Sequence, residues 1–211
     1  MAAAFGRLGI GDKTQVVAYD QDTGAYASRL WWMLRYMGHD AVAVLDGGLA
    51  AWIHAGGAIG AGEEHRAPVV FTPRPRTEMR VAVDEAAGLV GNTNAMLVDA
   101  RSPQRFEGQP DPLDHVSGHI PGARNRFYKD NLAQDGTMRS AGDLRADFAR
   151  VLGDRPADQV VMYCGSGVTA CHNLLAMERA GLPGAKLFAG SWSEWESDPK
   201  RPVEKGPARD W

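Results

Sequence analysis

The sequence predicts an α/β protein: a parallel, doubly wound sheet flanked by helices, present as one complete domain plus the C-terminal part of a second copy. Three observations carry this. Short apolar, β-rich runs alternate with segments of helical period. A buried-strand pattern ends abruptly at Cys164, passes through a turn of small residues and enters a helix. Finally, residues 15 to 52 recur as residues 159 to 195. Gln15, Val16, Val17, Tyr19, Leu30, Met33 and Arg35 return as Gln159, Val160, Val161, Tyr163, Leu174, Met177 and Arg179. After a one-residue slip, Gly38, Gly47 and Trp52 align with Gly181, Gly190 and Trp195.

The elements follow in order. Val16 to Asp20 reads as a strand, and Ala25 to Met37 as a helix with Ala27, Leu30, Trp31 and Leu34 on one face. Ala41 to Asp46 is a second strand and Gly47 to His54 a short helix. Gly, Pro and charge crowd residues 56 to 76, including Pro73-Arg74-Pro75, which predicts a linker. The domain reading is therefore 1–58 for the partial copy, 59–78 for the linker and 79–211 for the complete domain. In that domain Met79 to Val83 precedes a helix from Asp84, a strand over Met96 to Asp99, a long loop from Pro103 to Pro121 and a helix over Asp143 to Leu152. Val160 to Tyr163 is a buried strand, and Ala170, Leu174 and Met177 repeat at helical spacing beside Cys171 and Leu175.

Composition excludes several function classes. The chain has 211 residues, 44% of them hydrophobic, enough for one full domain and a substantial second unit. A formal net charge of −3 gives no electrostatic case for nucleic acid or an anionic membrane. No apolar run approaches membrane-spanning length, and MAAAFGRLGIGDK lacks the apolar region of a secretory signal, so a cytoplasmic location is expected. His115 and His119 stand four apart, yet Gly118 and Pro121 oppose a helix there, so the spacing does not build a metal site. Neither metal nor cofactor is expected.

Cys164 is the candidate nucleophile. At a strand-to-helix junction the N–H groups of Gly165, Ser166, Gly167, Val168 and Thr169 can curl toward the sulfur, and the helix presents its positive end. Both favour an anionic sulfur, the nucleophilic form. Gly165 and Gly167 suit a tight turn that leaves room for a bound group. The competing reading is that Cys164 is a small buried apolar residue at a strand end. Cys171, on the apolar stripe with Leu175, reads as core.

Several motifs, in order, carry a family resemblance. CGSGVTA at 164–170 resembles the active-site loop of the rhodanese superfamily, specifically of its mercaptopyruvate-type sulfurtransferases. Leu97 to Arg101, Gln104-Arg105-Phe106, GHIPGA at 118–123 and GSWSEW at 190–195 resemble further segments of the same family. The resemblance implies sulfur transfer by double displacement through a Cys164 persulfide. It implies that Arg105 binds the donor's carboxylate or sulfonate, against a solvated surface arginine, and that Ser166 hydrogen-bonds the donor or assists proton movement, against a plain turn residue. Partners would be a small sulfur donor, 3-mercaptopyruvate or thiosulfate, and a thiophilic acceptor: cyanide, a thiol or a thioredoxin-like protein. The absence of basic residues at Gly165 and Ser166 favours 3-mercaptopyruvate, while Leu113 stands where those enzymes carry a second arginine. A persulfide carrier or sensor with little small-molecule turnover is the alternative function. A rhodanese-fold phosphatase is disfavoured because Ala170 replaces its phosphate-clamping arginine.

The repeat places Asp20 where the complete domain has Cys164, so the first copy lacks the nucleophile and resembles the silent first domain of tandem sulfurtransferases. No counterpart of the Asp99 strand or of GHIPGA precedes Gln15. A half-domain exposes strand edges and apolar helix faces. Trp31, Trp32 and Leu34 are expected on that exposed surface, and self-association through the incomplete first domain is the corresponding partner expectation.

Overall fold

A computed structural model describes residues 1–208 and separates into two compact units, Met1–Thr77 and a second beginning at Glu78. In the first, α1 (Ala2–Arg7) precedes β1 (Val16–Ala18), α2 (Ala25–Tyr36), β2 (Val42–Val44) and α3 (Gly48–His54). β1 and β2 are parallel, with Val16 opposite Val42. The intervening helix is the crossover that parallel pairing requires.

The two tryptophans of α2 depart from expectation. Trp31, Trp32 and Leu34 are buried, at 5%, 2% and 0% exposure. Neighbours one turn away on the same helix cover the rings: the Arg29 guanidinium lies 5.2 Å from the Trp32 ring, Arg35 lies 5.7 Å from Trp31, and Tyr36 stacks on Trp32. The exposed apolar surface lies instead at β1 and α3. Val17 and Tyr19 are 54% and 57% exposed, whereas their counterparts Val161 and Tyr163 are 3% and 0% exposed.

The stretch read as a linker also belongs partly to the first unit. Val69 N–H donates to Gly6 O, Arg74 N–H to Met37 O and Arg76 N–H to Tyr36 O. Phe71 is buried 5.2 Å from Phe5, and Arg76 forks onto Asp40 at 2.7 and 2.6 Å. These contacts were illegible because Pro, Gly and charge describe local conformation, not the long-range partners of backbone amides.

The second unit contains β3 (Arg80–Val81), α4 (Val83–Gly88), β4 (Met96–Asp99), α5 (Pro103–Glu107), β5 (Arg124–Asn125), α6 (Ala141–Leu152), β6 (Val160–Tyr163), α7 (Thr169–Arg179), β7 (Lys186–Phe188) and α8 (Ser191–Glu196). The long loop expected from Pro103 holds α5, which Pro103 starts because its fixed φ and missing N–H suit a first helical turn. The strands form a parallel sheet in the order β3-β7-β6-β4-β5.

Every residue of the inner strands β4 and β6 is buried, as sheets covered on both faces require. One face carries a core of Leu97, Phe106, Ile120, Val161, Tyr163, Phe188, Trp192 and Trp195. Alternation sends Val160 and Met162 to the other face, where α6 buries Leu144 and Phe148 and α7 buries Leu174 and Met177. Because all strands run one way, the segments after Asp99, Tyr163 and Phe188 emerge at one end of the sheet. Open α/β sheets place their sites at that end.

The repeat supplies a matched stability test. Trp195 is fully buried and its counterpart Trp52 is 44% exposed. Trp195→Ala is expected to cost about 3–5 kcal/mol and Trp52→Ala about 1 kcal/mol or less, read from urea unfolding curves.

Candidate active site

Cys164 follows the central strand β6 directly and is 2% exposed. Its backbone is held from both sides by the segment that opens α8. The Cys164 N–H donates to Ser191 Oγ at 3.1 Å, and Cys164 O accepts from Trp192 N–H at 2.9 Å. Gly165 O accepts from Ser193 N–H at 2.9 Å and from the Ser193 hydroxyl. Ser191 Oγ in turn donates to Phe188 O at 2.9 Å, which ties the brace to the end of β7. Downstream the loop crosses Gly167, at φ 75°. A Cβ there would lie 2.4 Å from Ala189 O, so glycine is required on both counts. Gly165 and Val168 are half-buried and Ser166 is exposed, forming the rim of the loop, and the half-buried Thr169 is the first residue of α7.

Arg105 reaches the same loop from α5. Its Nη2 would lie 3.2 Å from a Cβ on Gly165. Asp114 aims it, accepting from Nε at 2.8 Å and from Nη2 at 2.5 Å. The Asp114 hydrogen bonds raise the Arg105 pKa further above its ordinary range. Asp114 also lies 3.2 Å from Nη1 of Arg101, whose remaining donors meet Asp99 and Gly118 O at 2.7 to 3.2 Å. Arg101 is 2% exposed and its guanidinium lies 4.7 Å from the Trp192 ring. Burial works against its charge, but Asp99 overrides this and the pKa rises. The Tyr163 hydroxyl, which accepts from Ile120 N–H at 3.3 Å, is pushed up first by burial and then by Asp99. It stays protonated.

Two further contacts fix the surroundings. His119 is buried, stacks on Phe106 at 3.6 Å between ring centroids and donates through Nδ1 to Phe106 O at 2.7 Å. Burial lowers its pKa. Behind the loop, Asn131 Nδ2 donates to His172 Nδ1 at 3.0 Å and to Asn173 Oδ1 at 2.7 Å, and Asn173 Nδ2 donates to Arg126 O at 2.8 Å. These bonds anchor the first turns of α7.

The first unit provides an internal comparison. At Asp20, the counterpart of Cys164, the carboxylate accepts four backbone N–H groups, from Asp22, Gly24, Tyr26 and Ala27, at 2.9 to 3.1 Å. Leu49 N–H donates to Asp20 O at 3.0 Å, as Trp192 N–H does to Cys164 O. A strand-to-helix turn of this design therefore seats an anion on backbone amides.

A buried cysteine at the end of the central parallel strand of an α/β sheet, with an arginine set against the loop that follows it, is the feature to compare with known proteins. The chain matches the Rhodanese-like domain over residues 3–55 and 82–198. It is 46% identical to a Pseudomonas aeruginosa protein that carries the name probable 3-mercaptopyruvate sulfurtransferase, over 94% of this chain and 70% of that one. It is 38% identical to the human 3-mercaptopyruvate sulfurtransferase, over 90% of this chain and 65% of that one. Identity to the mouse thiosulfate sulfurtransferase is 36%, over 95% and 70%. Among solved structures, the anaerobic ergothioneine biosynthesis enzyme of Chlorobium limicola superposes with a TM-score of 0.86 at 27% identity, covering 96% of this chain. The chain spans about half, 54%, of that enzyme's length. The chain belongs to the rhodanese superfamily, as a member of its sulfurtransferase branch.

The structure brings Cys164, Gly165, Ser166, Gly167, Val168 and Thr169 into one loop and sets Arg105 against it. Leu113 is 74% exposed, pointing away from the core. Sequence reasoning missed Asp114, Ser191 and Asn131. Asp114 carried a usable signal, an acid nine residues beyond an arginine in a Pro-rich loop. Among the described residues, no cluster of His, Cys, Asp or Glu suits a metal ion, and no helix is long and apolar enough to cross a membrane.

Asp114→Ala is expected to destabilise the protein by about 3 kcal/mol, the low end for breaking a buried pair because Arg101 keeps Asp99. Urea titration measures it. His119, with its pKa depressed, binds fewer protons folded than unfolded below about pH 6.5. Its contribution is therefore full above that pH and is lost as the pH falls through it. His119→Gln should flatten the decline in urea midpoint between pH 7 and 5.

Proposed function

We propose that this protein moves sulfane sulfur from 3-mercaptopyruvate or thiosulfate to a thiophilic acceptor through a persulfide on Cys164. The observation that carries the reading is the first copy's turn, where four N–H groups hold the Asp20 carboxylate. The catalytic intermediate is also an anion one atom beyond the side-chain anchor. Of the four corresponding N–H groups, that of Cys171 is taken by Val168 O at 3.0 Å, and those of Ser166, Val168 and Ala170, together with the positive end of α7, favour negative charge on sulfur.

In the first half-reaction the Cys164 thiolate attacks the donor's outer sulfur, the thiol sulfur of 3-mercaptopyruvate or the sulfane sulfur of thiosulfate. A new S–S bond forms as the donor's C–S bond breaks, and pyruvate departs as its enolate and takes up a proton. With thiosulfate the bond broken is S–S and sulfite departs. In the second half-reaction cyanide or a thiolate attacks the outer sulfur, and the S–S bond to Cys164 breaks with return of the thiolate.

Arg105 binds the donor's anionic end. Asp114 already occupies its Nε and one Nη2 hydrogen, so the donor meets the remaining edge of a cation that is half neutralised. Gly165 and Ser166 add no positive charge. This balance favours a singly charged carboxylate over the dianion thiosulfate, and 3-mercaptopyruvate is the preferred donor.

Steady-state thiocyanate formation with each donor tests the assignment. Higher kcat/KM with 3-mercaptopyruvate is expected. Cys164→Ser should abolish both turnover and the one-sulfur mass gain. Loss of one charged contact in Arg105→Gln should raise the donor KM by about 10- to 100-fold. A persulfide that forms on Cys164 without turnover on either donor would replace this reading with that of a sulfur carrier.

A further inference from the structure

We propose that Ser191 is a positioning residue for Cys164, held in an unfavourable backbone conformation so that its hydroxyl can tether the nucleophile's own N–H. The proposal rests on the reading of Cys164 as the nucleophile. Among the described non-glycine residues Ser191 alone has positive φ, at 55°. It is fully buried, and it is neither at a surface turn nor an Asn or Asp, the types that tolerate this region best. Backbone outliers of this kind persist only where the surroundings over-determine them, and they concentrate at functional sites.

The repeat shows what the position needs when no chemistry is at stake. Its counterpart is Gly48, at φ 59°, nearly the same conformation. There a Cβ would lie 2.6 Å from Asp20 O, so the turn excludes side chains as well as disfavouring them. The N–H of the next residue meets the carbonyl of position 20 or 164 in both copies. The backbone brace is thus common to both, and glycine suffices for it. Only the copy with the cysteine adds a side chain, and its single polar atom does two things. It accepts from Cys164 N–H at 3.1 Å and donates to Phe188 O at 2.9 Å.

The consequence is directional. With the hydroxyl in place, the first N–H of the loop is committed to Ser191, and Cα of Cys164 is pinned to the end of β7. The side chain then leaves a fixed point toward the loop amides that receive the anionic sulfur. Without it, a buried N–H loses its acceptor and Cys164 is braced through its carbonyl alone, by Trp192 N–H.

Two substitutions separate this role from a structural one, because they remove the same hydroxyl with opposite backbone effects. Ser191→Gly relieves the positive φ, and Ser191→Ala keeps it. A purely structural serine predicts that both variants lose stability while forming the Cys164 persulfide at the parent's rate. The positioning role predicts that both variants form the Cys164 persulfide at least roughly fivefold more slowly in single turnover with 3-mercaptopyruvate. The donor concentration for half-saturation should stay within about twofold, because Arg105 is untouched. The Cys164 amide should exchange with solvent at least about tenfold faster in both. The urea midpoint of Ser191→Gly should lie above that of Ser191→Ala, because both lose the acceptor of the buried N–H and only glycine relieves the positive φ. Unchanged persulfide rates in the glycine variant, with or without faster exchange, would overturn the proposal. If the parent itself forms no persulfide, the nucleophile reading fails first and this one with it.

Discussion

The second unit depends on how one buried guanidinium is satisfied. Arg101 lies beyond the end of β4 with 2% of its surface exposed, and an unpaired charge there would be prohibitive. Its donors therefore collect four separate pieces of chain: Asp99 at the strand end, Asp114 in the loop after α5, Gly118 O at the turn, and the Trp192 ring in α8. Each of these is one step from the candidate site. Asp114 aims Arg105, the turn carries Ile120 to the Tyr163 hydroxyl, and Trp192 holds the Cys164 carbonyl. The desolvation of one charge thus sets the relative placement of Arg105 and Cys164.

The two copies of the repeat show which parts of this arrangement are fold and which are chemistry. Strand, small-residue turn, helix and the brace from the next helix appear in both, so they follow from the architecture. The copies diverge at the group held in the turn. In the first, Asp20 satisfies four amides permanently, and the turn is closed on its own side chain. In the second, the position holds Cys164, shorter by the two carboxylate oxygens.

Legibility in the sequence followed the range of the interaction. The strand at Val160 to Tyr163, the α7 helix and the repeat were visible because apolar period and glycine placement are local properties. The candidate loop was visible for the same reason, all of it lying within seven consecutive positions. Trp31 and Trp32 were misplaced because exposure of a half-domain was argued globally, whereas arginine and tyrosine one turn away cover the rings locally. Residues 69–76 were misread as linker because their amides are paired with Gly6, Tyr36 and Met37, more than thirty positions distant in sequence.

By itself the sequence determined the α/β class, the family and the identity of Cys164 and Arg105 as candidate site residues. Those properties reside in short motifs and in periodicity, which survive without knowledge of what packs against them. Tertiary structure alone decided that Asp114 holds Arg105 in place, that Ser191 reaches the Cys164 amide from 27 positions away, and that Asn131 anchors the start of α7. The physical reason is that a parallel sheet gathers the ends of non-adjacent strands at one edge. Buried polar atoms emerging there take partners by proximity in space, and no local pattern records the choice.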